Sequence, residues 1–139
     1  MAIPGVVEAC SWGSVADQER DQRRYLAEVT SIYDGVITEM DGRQDDPLVT
    51  FTVRKTGEVW GRPGPERWPL SYELGACVNY IFLMEDHPEG EAPGNGLRVR
   101  VFVAPEARSR PERLFITPIG PTTDVLMSRW RFANRQRTQ

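Results

Sequence analysis

The chain has 139 residues, of which 40% are hydrophobic and 27% charged, and it carries a formal net charge of −3 at pH 7. That length suits one domain, and that composition excludes a wholly disordered or collagen-like chain. No apolar run approaches the length of about 18 residues that a membrane-spanning helix needs, and we expect no secretory signal because the first residues lack a basic segment followed by an apolar one.

The first predicted unit is an N-terminal arm over residues 1–13, whose apolar side chains follow neither a helical nor a strand period. A single domain over residues 14–139 is predicted to follow it. Ser14 and Asp17 have the spacing of a capping box, with acidic residues early and arginines late in the segment after them. We therefore predict a helix from about residue 14 to 25.

Strand patterns follow this helix. Residues 29–33 and 36–40 predict two strands joined by an Asp34-Gly35 turn, because Asp-Gly tolerates the positive φ values of a type I′ turn. The apolar residues 49, 51 and 53 then alternate with polar ones and predict a half-buried strand. Residues 61–69 hold three prolines and two glycines, which predicts a loop.

The second half of the chain begins with residues 76–84, which are apolar on both faces and predict a central strand. Residues 85–96 predict a long loop. Two further strands are predicted over residues 97–103 and 114–119. In the first of them, the apolar side chains point one way and those of Arg98, Arg100 and Phe102 the other.

The last segment supports two interpretations. One is a helix capped by Thr122 or Thr123, with an apolar face of Val125, Leu126, Trp130 and Ala133. The other is a final strand through residues 125–132. With about six strands and one or two short helices, the chain is predicted to be mainly β, and closing a small antiparallel sheet into a barrel removes its exposed edges.

Two stretches resemble a known family. Residues 28–37 (EVTSIYDGVI) have the form of a first strand bent around a glycine, and residues 72–80 (YELGACVNY) that of a strand entry marked by leucine and glycine. They resemble the oligonucleotide/oligosaccharide-binding (OB) fold in its S1 and cold-shock versions, over about residues 28–103. The resemblance implies an OB-like antiparallel β-barrel with one or two short flanking helices. It transfers no binding residue, because residues 51–54 (FTVR) depart from the family's aromatic and basic strand motif.

Charge is spread unevenly along the chain. Residues 1–96 have a balance of −9, residues 97–139 a balance of +6, and Lys55 is the one lysine among 17 basic residues. Arginines that alternate with aromatic side chains suit an anionic partner, since guanidinium groups pair with phosphate or carboxylate and aromatic rings stack on bases. The predicted anion or nucleic-acid site consists of Arg98, Arg100, Phe102, Arg129, Trp130 and Arg131. The alternative is that Trp130 and Phe132 belong to the core or to a lid and that the arginines form a solvated rim.

A second candidate site is the barrel interior. Its aromatic side chains could line a cavity for a small molecule, or for a substrate cyclised without a cofactor. The predicted lining residues are Phe51, Trp60, Tyr72, Tyr80 and Phe82. The alternative is that side chains simply fill this space.

Catalytic and metal-binding patterns are not found in the sequence. His87 lies in an acidic loop without a positioned partner, and one histidine with two distant cysteines, Cys10 and Cys77, cannot form a zinc site. We predict no catalytic residue, metal or cofactor, and a reducing, cytoplasmic location.

The predicted function is therefore a non-enzymatic binding or assembly module that engages nucleic acid or an acidic protein surface through its C-terminal third. One alternative is a structural subunit, a homo- or hetero-oligomer docked by the N-terminal arm and long loops. The other is the small-molecule barrel described above.

Overall fold

The computed structural model describes residues 14–42, 46–73 and 95–138, the last three by their backbone alone. Its elements, in chain order, are α1 (Val15–Ala27), β1 (Ser31–Asp41), β2 (Leu48–Gly61), β3 (Arg67–Glu73), β4 (Arg98–Val103), α2 (Glu106–Ser109), β5 (Phe115–Pro118) and α3 (Pro121–Thr138), with a 3₁₀ turn at Pro111–Arg113. The predicted arm over residues 1–13, the predicted strand over residues 76–84 and most of the predicted loop over residues 85–96 lie outside the described residues.

The five strands form one antiparallel sheet in the order β3-β2-β1-β4-β5. Three consecutive strands with a fourth that returns beside the first make the spatial order of a Greek key. The prediction of a mainly β, antiparallel protein with flanking helices is confirmed. In the part of the chain that the structure describes, β3 and β5 are edge strands that do not pair with each other, so closure into a barrel is not shown.

β1 corrects the prediction of a hairpin at Asp34-Gly35. Residues 31–41 form one strand that pairs with β2 on one side and β4 on the other. The register with β2 shifts between Asp34 and Gly35, and a Cβ on Gly35 would lie 2.7 Å from Cγ1 of Val53. The glycine therefore permits a close approach of two strands at an irregularity, a role that the dipeptide alone does not distinguish from a turn.

β3 corrects the second half of the predicted proline-rich loop. Residues 67–73 pair with β2, and Pro69 lies opposite Thr52. Proline cannot donate to a neighbouring strand, but β3 is an edge strand within the described sheet and therefore tolerates it. The loop that remains, residues 62–66, is called the prolyl loop below.

Both faces of the sheet carry a core. The helix-covered face holds a cluster that includes Tyr25, Leu26, Ile32, Phe102 and Trp130, contributed by α1, α3 and the strands beneath them. The opposite face holds a cluster of strand residues with Ala107 and Leu114, and it includes Tyr33, Phe51, Val53, Tyr72, Val101 and Ile116. The predicted alternation along β4 is confirmed, because Val99, Val101 and Val103 join the opposite cluster while Phe102 lies under the helices.

The predicted capping box of the first helix is confirmed. Oγ of Ser14 accepts from the amide of Asp17 at 3.1 Å, and the Asp17 carboxylate accepts from the amide of Ser14 at 3.2 Å. These contacts satisfy amides that the first helical turn leaves without intrahelical partners.

The last segment is a helix, which settles the choice between helix and strand. The residues of α3 that pack on the sheet are Leu126, Met127, Trp130 and Ala133. Val125 was predicted to share this face, but its side chain is 50% exposed, and Met127 lies in the core instead.

Candidate functional site

The predicted binding residues of β4 lie on one side of the strand, but they are not all exposed to solvent. Arg98 is exposed, whereas Phe102 is fully buried beneath the helices. Arg100 pairs with Asp34, its direct cross-strand neighbour, through Nε–Oδ1 at 2.7 Å and Nη2–Oδ2 at 3.1 Å. Through this bidentate pair, the Arg100 guanidinium links β4 to β1.

The predicted residues of α3 also separate into buried and exposed groups. Trp130 is 7% exposed, and its ring packs edge-on against Trp60, with centroids 4.9 Å apart. Arg129 and Arg131 are exposed. Trp130 is thus a core residue, as the alternative interpretation held, and Phe102 is a core residue too. Phe132, which that interpretation also assigned to the core or to a lid, is 55% exposed.

An exposed groove runs between α1 and α3 and has a volume of about 310 Å³. We call it the helix groove; it is lined by Glu19, Gln22, Arg23, Ser128, Arg129 and Phe132. Phe132 is 55% exposed, and Nη1 of Arg129 donates to Oε1 of Gln22 at 2.6 Å. The groove therefore combines an apolar ring with two guanidinium groups and the single carboxylate of Glu19. The resulting surplus of positive charge suits an anionic partner that also has apolar side chains.

The predicted cavity residues that the structure describes do not all lie on one face of the sheet. Phe51 and Tyr72 lie in the core of the opposite face, whereas Trp60 packs against α3 on the helix-covered face. Tyr80 and Phe82 lie outside the described residues.

A different cleft lies at the end of the opposite face, beneath the prolyl loop. Its volume is about 470 Å³, within the range of small-molecule sites. We call it the prolyl cleft; its lining residues are Ser31, Pro63, Gly64, Pro65, Arg67, Trp68, Val103 and Arg108. It joins the ends of β1 and β4 to the prolyl loop and α2.

Lys55, the one lysine in the chain, fixes the prolyl loop. Its ammonium donates to Oε1 of Glu58 at 2.5 Å and to the carbonyl oxygen of Gly64 at 3.0 Å, and it lies 3.2 Å from Oε1 of Glu66. Three acceptors thus match the three donors of an ammonium group. The hydrogen bonds to Glu58 and Glu66 raise the pKa of Lys55, and the hydrogen bond from Lys55 lowers the pKa of the Glu58 carboxyl.

Further contacts hold the same loop from below. The Arg62 amide donates to the carbonyl of Thr30 at 3.0 Å, and Oγ of Ser31 donates to the carbonyl of Arg62 at 2.7 Å. Gly64 lies against the buried ring of Tyr33, so closely that a Cβ there would be 2.4 Å from Cδ1 of the ring. The wall of the cleft is therefore fixed by the protein itself, although it is a surface loop.

The two arginines of the cleft differ in their charge environment. Arg67 pairs with Glu39 at 2.6 Å. Arg108 is exposed and, among the described residues, has no carboxylate within ion-pair distance. Among the described residues that line the cleft, Arg108 is therefore the cation without a carboxylate partner.

Sequence reasoning did not assign Arg23 or Arg108 to a site. Arg23 lies on α1, and it reaches the helix groove because α3 packs beside that helix. Arg108 lies in a short helix that the sequence does not indicate. Both residues depend on which elements the fold brings together.

In the part of the chain that the structure describes, no three His, Cys, Asp or Glu side chains are grouped to hold a metal ion. No helix in that part is long and apolar enough to cross a membrane. No protein family, curated protein or solved structure matches the chain. The helix groove and the prolyl cleft are therefore the candidate sites of the described residues.

Proposed function

We propose that the protein is a non-enzymatic binding module that engages an acidic protein segment through the helix groove and the arginines of α3. The observation that carries this proposal is the exposure of Phe132 beside Arg129 and Arg23 in one groove. Arg131 and Arg135 add exposed positive charge to the same helix.

The two arginines of the groove are available to carboxylates. Among the described residues, neither Arg23 nor Arg129 has an acidic side chain within ion-pair distance, and Arg129 is held by a neutral amide. A guanidinium presents paired donors that match a carboxylate. Because each exposed ion pair contributes only about 0–1 kcal/mol, affinity also requires burial of the exposed Phe132 ring.

An acidic protein segment fits these residues better than nucleic acid does. Single-stranded nucleic acid binds through exposed aromatic faces on which successive bases stack. Phe102 and Trp130 are buried, and Phe132 is one exposed ring between two helices. A segment of alternating acidic and apolar side chains would match the mixture of cations and ring in the groove.

We also propose that the sheet is part of an OB-like barrel. The order β3-β2-β1-β4 supports this, because the OB fold is a five-stranded, partly open Greek-key barrel. Because β3 and β5 do not pair with each other in the described sheet, the proposal predicts, in the labelled protein, amide NOE contacts from a further strand to the outer edges of β3 and β5. Their absence would contradict it.

The binding proposal is tested with a short fluorescein-labelled peptide of alternating glutamate and leucine, titrated with the full chain and followed by fluorescence anisotropy. Arg23→Ala combined with Arg129→Ala should weaken binding about tenfold, since two exposed ion pairs are lost.

The matched control is Arg54→Ala combined with Arg110→Ala, which removes the same charge from exposed positions outside the groove. It should leave the affinity nearly unchanged. Equal losses in the two double variants would show that net charge, and not the groove, attracts the peptide.

A further inference from the structure

We propose that the prolyl cleft is a binding site for a small planar anion, with its flat apolar part between Trp68 and the prolyl loop and its anionic group on Arg108. This site lies on the face opposite the helix groove, and the proposal does not depend on the function proposed above. The ligand class follows from three features: the shape of the cleft, its fixed wall and its available cation.

The shape and lining favour a small, flat molecule. The cleft has a volume of about 470 Å³, and one stretch of chain supplies both its indole and its proline rings. Pro63, Pro65 and Trp68 present rigid, largely apolar surfaces, and a pocket of this kind is typical of small-molecule sites.

The prolyl loop, which forms the wall of the cleft, is held in place by contacts and is not merely a solvated loop. Proline at 63 and 65 fixes φ and removes two amides that would otherwise need partners. The remaining contacts to Lys55, Glu58, Thr30 and Ser31 hold Arg62, Gly64 and Glu66 in place. A loop fixed in this way loses little conformational entropy when a ligand binds, which favours affinity.

The charge pattern favours an anion. Arg67 is balanced by Glu39, whereas Arg108 has no such partner among the described residues, so the lining carries an uncompensated positive charge. A carboxylate or phosphate on the ligand would supply the acceptor, and a charge-assisted hydrogen bond of this kind is among the stronger polar contacts.

The experiment uses 2-naphthoate as the probe, 2-naphthamide as its neutral counterpart, and acetate as an anion without a ring. Binding to the full chain is followed by NMR through the indole N–H signal of Trp68, which Trp68→Phe assigns. Naphthoate should shift this signal saturably, and naphthamide and acetate should each bind at least about tenfold more weakly.

Two pairs of variants complete the test. Arg108→Ala should weaken naphthoate binding about tenfold, whereas Arg110→Ala, whose side chain pairs with Glu112, should not. Gly64→Ala should also weaken it, because the new Cβ displaces the loop from Tyr33, whereas Gly57→Ala adds a Cβ that meets nothing within 4 Å.

Several results would overturn the proposal: no shift with naphthoate, equal affinity for naphthoate and naphthamide, or equal effects of Arg108→Ala and Arg110→Ala. The double variant Arg23→Ala, Arg129→Ala should leave naphthoate binding intact. Failure of this proposal and failure of the helix-groove proposal are therefore distinguishable.

Discussion

Two buried tyrosines illustrate how differently one side chain type can serve this fold. The hydroxyl of Tyr25 donates to the carbonyl of Phe102 at 2.8 Å and accepts from the amide of Ala104 at 3.2 Å, which ties α1 to the end of β4. The hydroxyl of Tyr33 is buried and has no hydrogen-bond partner among the described residues. Burial raises the pKa of Tyr25 to about 12, so its hydroxyl keeps its proton at neutral pH.

Removing these two hydroxyls should therefore have different effects. Tyr25→Phe removes two buried hydrogen bonds, one to the carbonyl of Phe102 and one from the amide of Ala104, and should lower the free energy of unfolding by about 1–3 kcal/mol. Tyr33→Phe removes a hydroxyl that makes no hydrogen bond to any described residue, and it should be neutral or slightly stabilising. Urea unfolding of both variants measures this difference, and a larger loss for Tyr33→Phe would contradict it.

The prolyl loop shows how an element can depend on one charge cluster. The pKa of Glu58 is lowered from its ordinary value of 4.5, so its stabilising contribution is present above that pH and is lost as pH falls through the folded-state pKa. Lys55 has the opposite dependence. Its pKa is raised from 10.5, so its contribution is present below that pH and is lost as pH rises through the folded-state pKa.

Glu58→Gln should consequently make stability less dependent on pH on the acid side. Urea midpoints measured from neutral pH down to pH values below about 4 should fall less steeply in the variant than in the parent. Asp17 also has a lowered pKa, caused by its hydrogen bonds to Ser14, so part of the acid sensitivity should remain. If the urea midpoints of variant and parent fell equally with decreasing pH, this would contradict the role assigned to Glu58.

Local sequence patterns correctly predicted the features that residues close together in the chain determine. The capping box at Ser14 and the alternation along β4 are of this kind, because nearby backbone and side-chain periods determine them. The predictions at Asp34-Gly35 and Pro69 were wrong because the structure at those residues depends on contacts with neighbouring strands, which the local sequence does not show. Gly35 lies where β2 approaches closely, and Pro69 is tolerated because β3 is an edge of the described sheet.

The candidate sites were harder to predict for the same reason. Alternation along β4 placed Arg98, Arg100 and Phe102 on one side correctly, but it could not show that Asp34 holds Arg100 or that the helices bury Phe102. The prolyl cleft requires β1, β4, the prolyl loop and α2 to meet, and no single stretch of sequence contains that information.

The two candidate surfaces lie on different sides of one sheet. The helix groove lies between α1 and α3, whereas the prolyl cleft adjoins the core of the opposite face at Val103 and Trp68. Of the arginines that line these surfaces, Arg23 and Arg129 lie at one side and Arg108 at the other. Arg108 and Arg129 both belong to residues 97–139, the positively charged part of the sequence.

The most direct measurement is the affinity of the full chain for the labelled peptide of glutamate and leucine as salt concentration is raised. Binding through Arg23 and Arg129 with burial of Phe132 predicts an affinity that falls with salt yet exceeds that for an oligonucleotide of equal charge. An affinity indifferent to salt, or tighter binding of the oligonucleotide, would contradict the proposal that this groove receives an acidic protein segment.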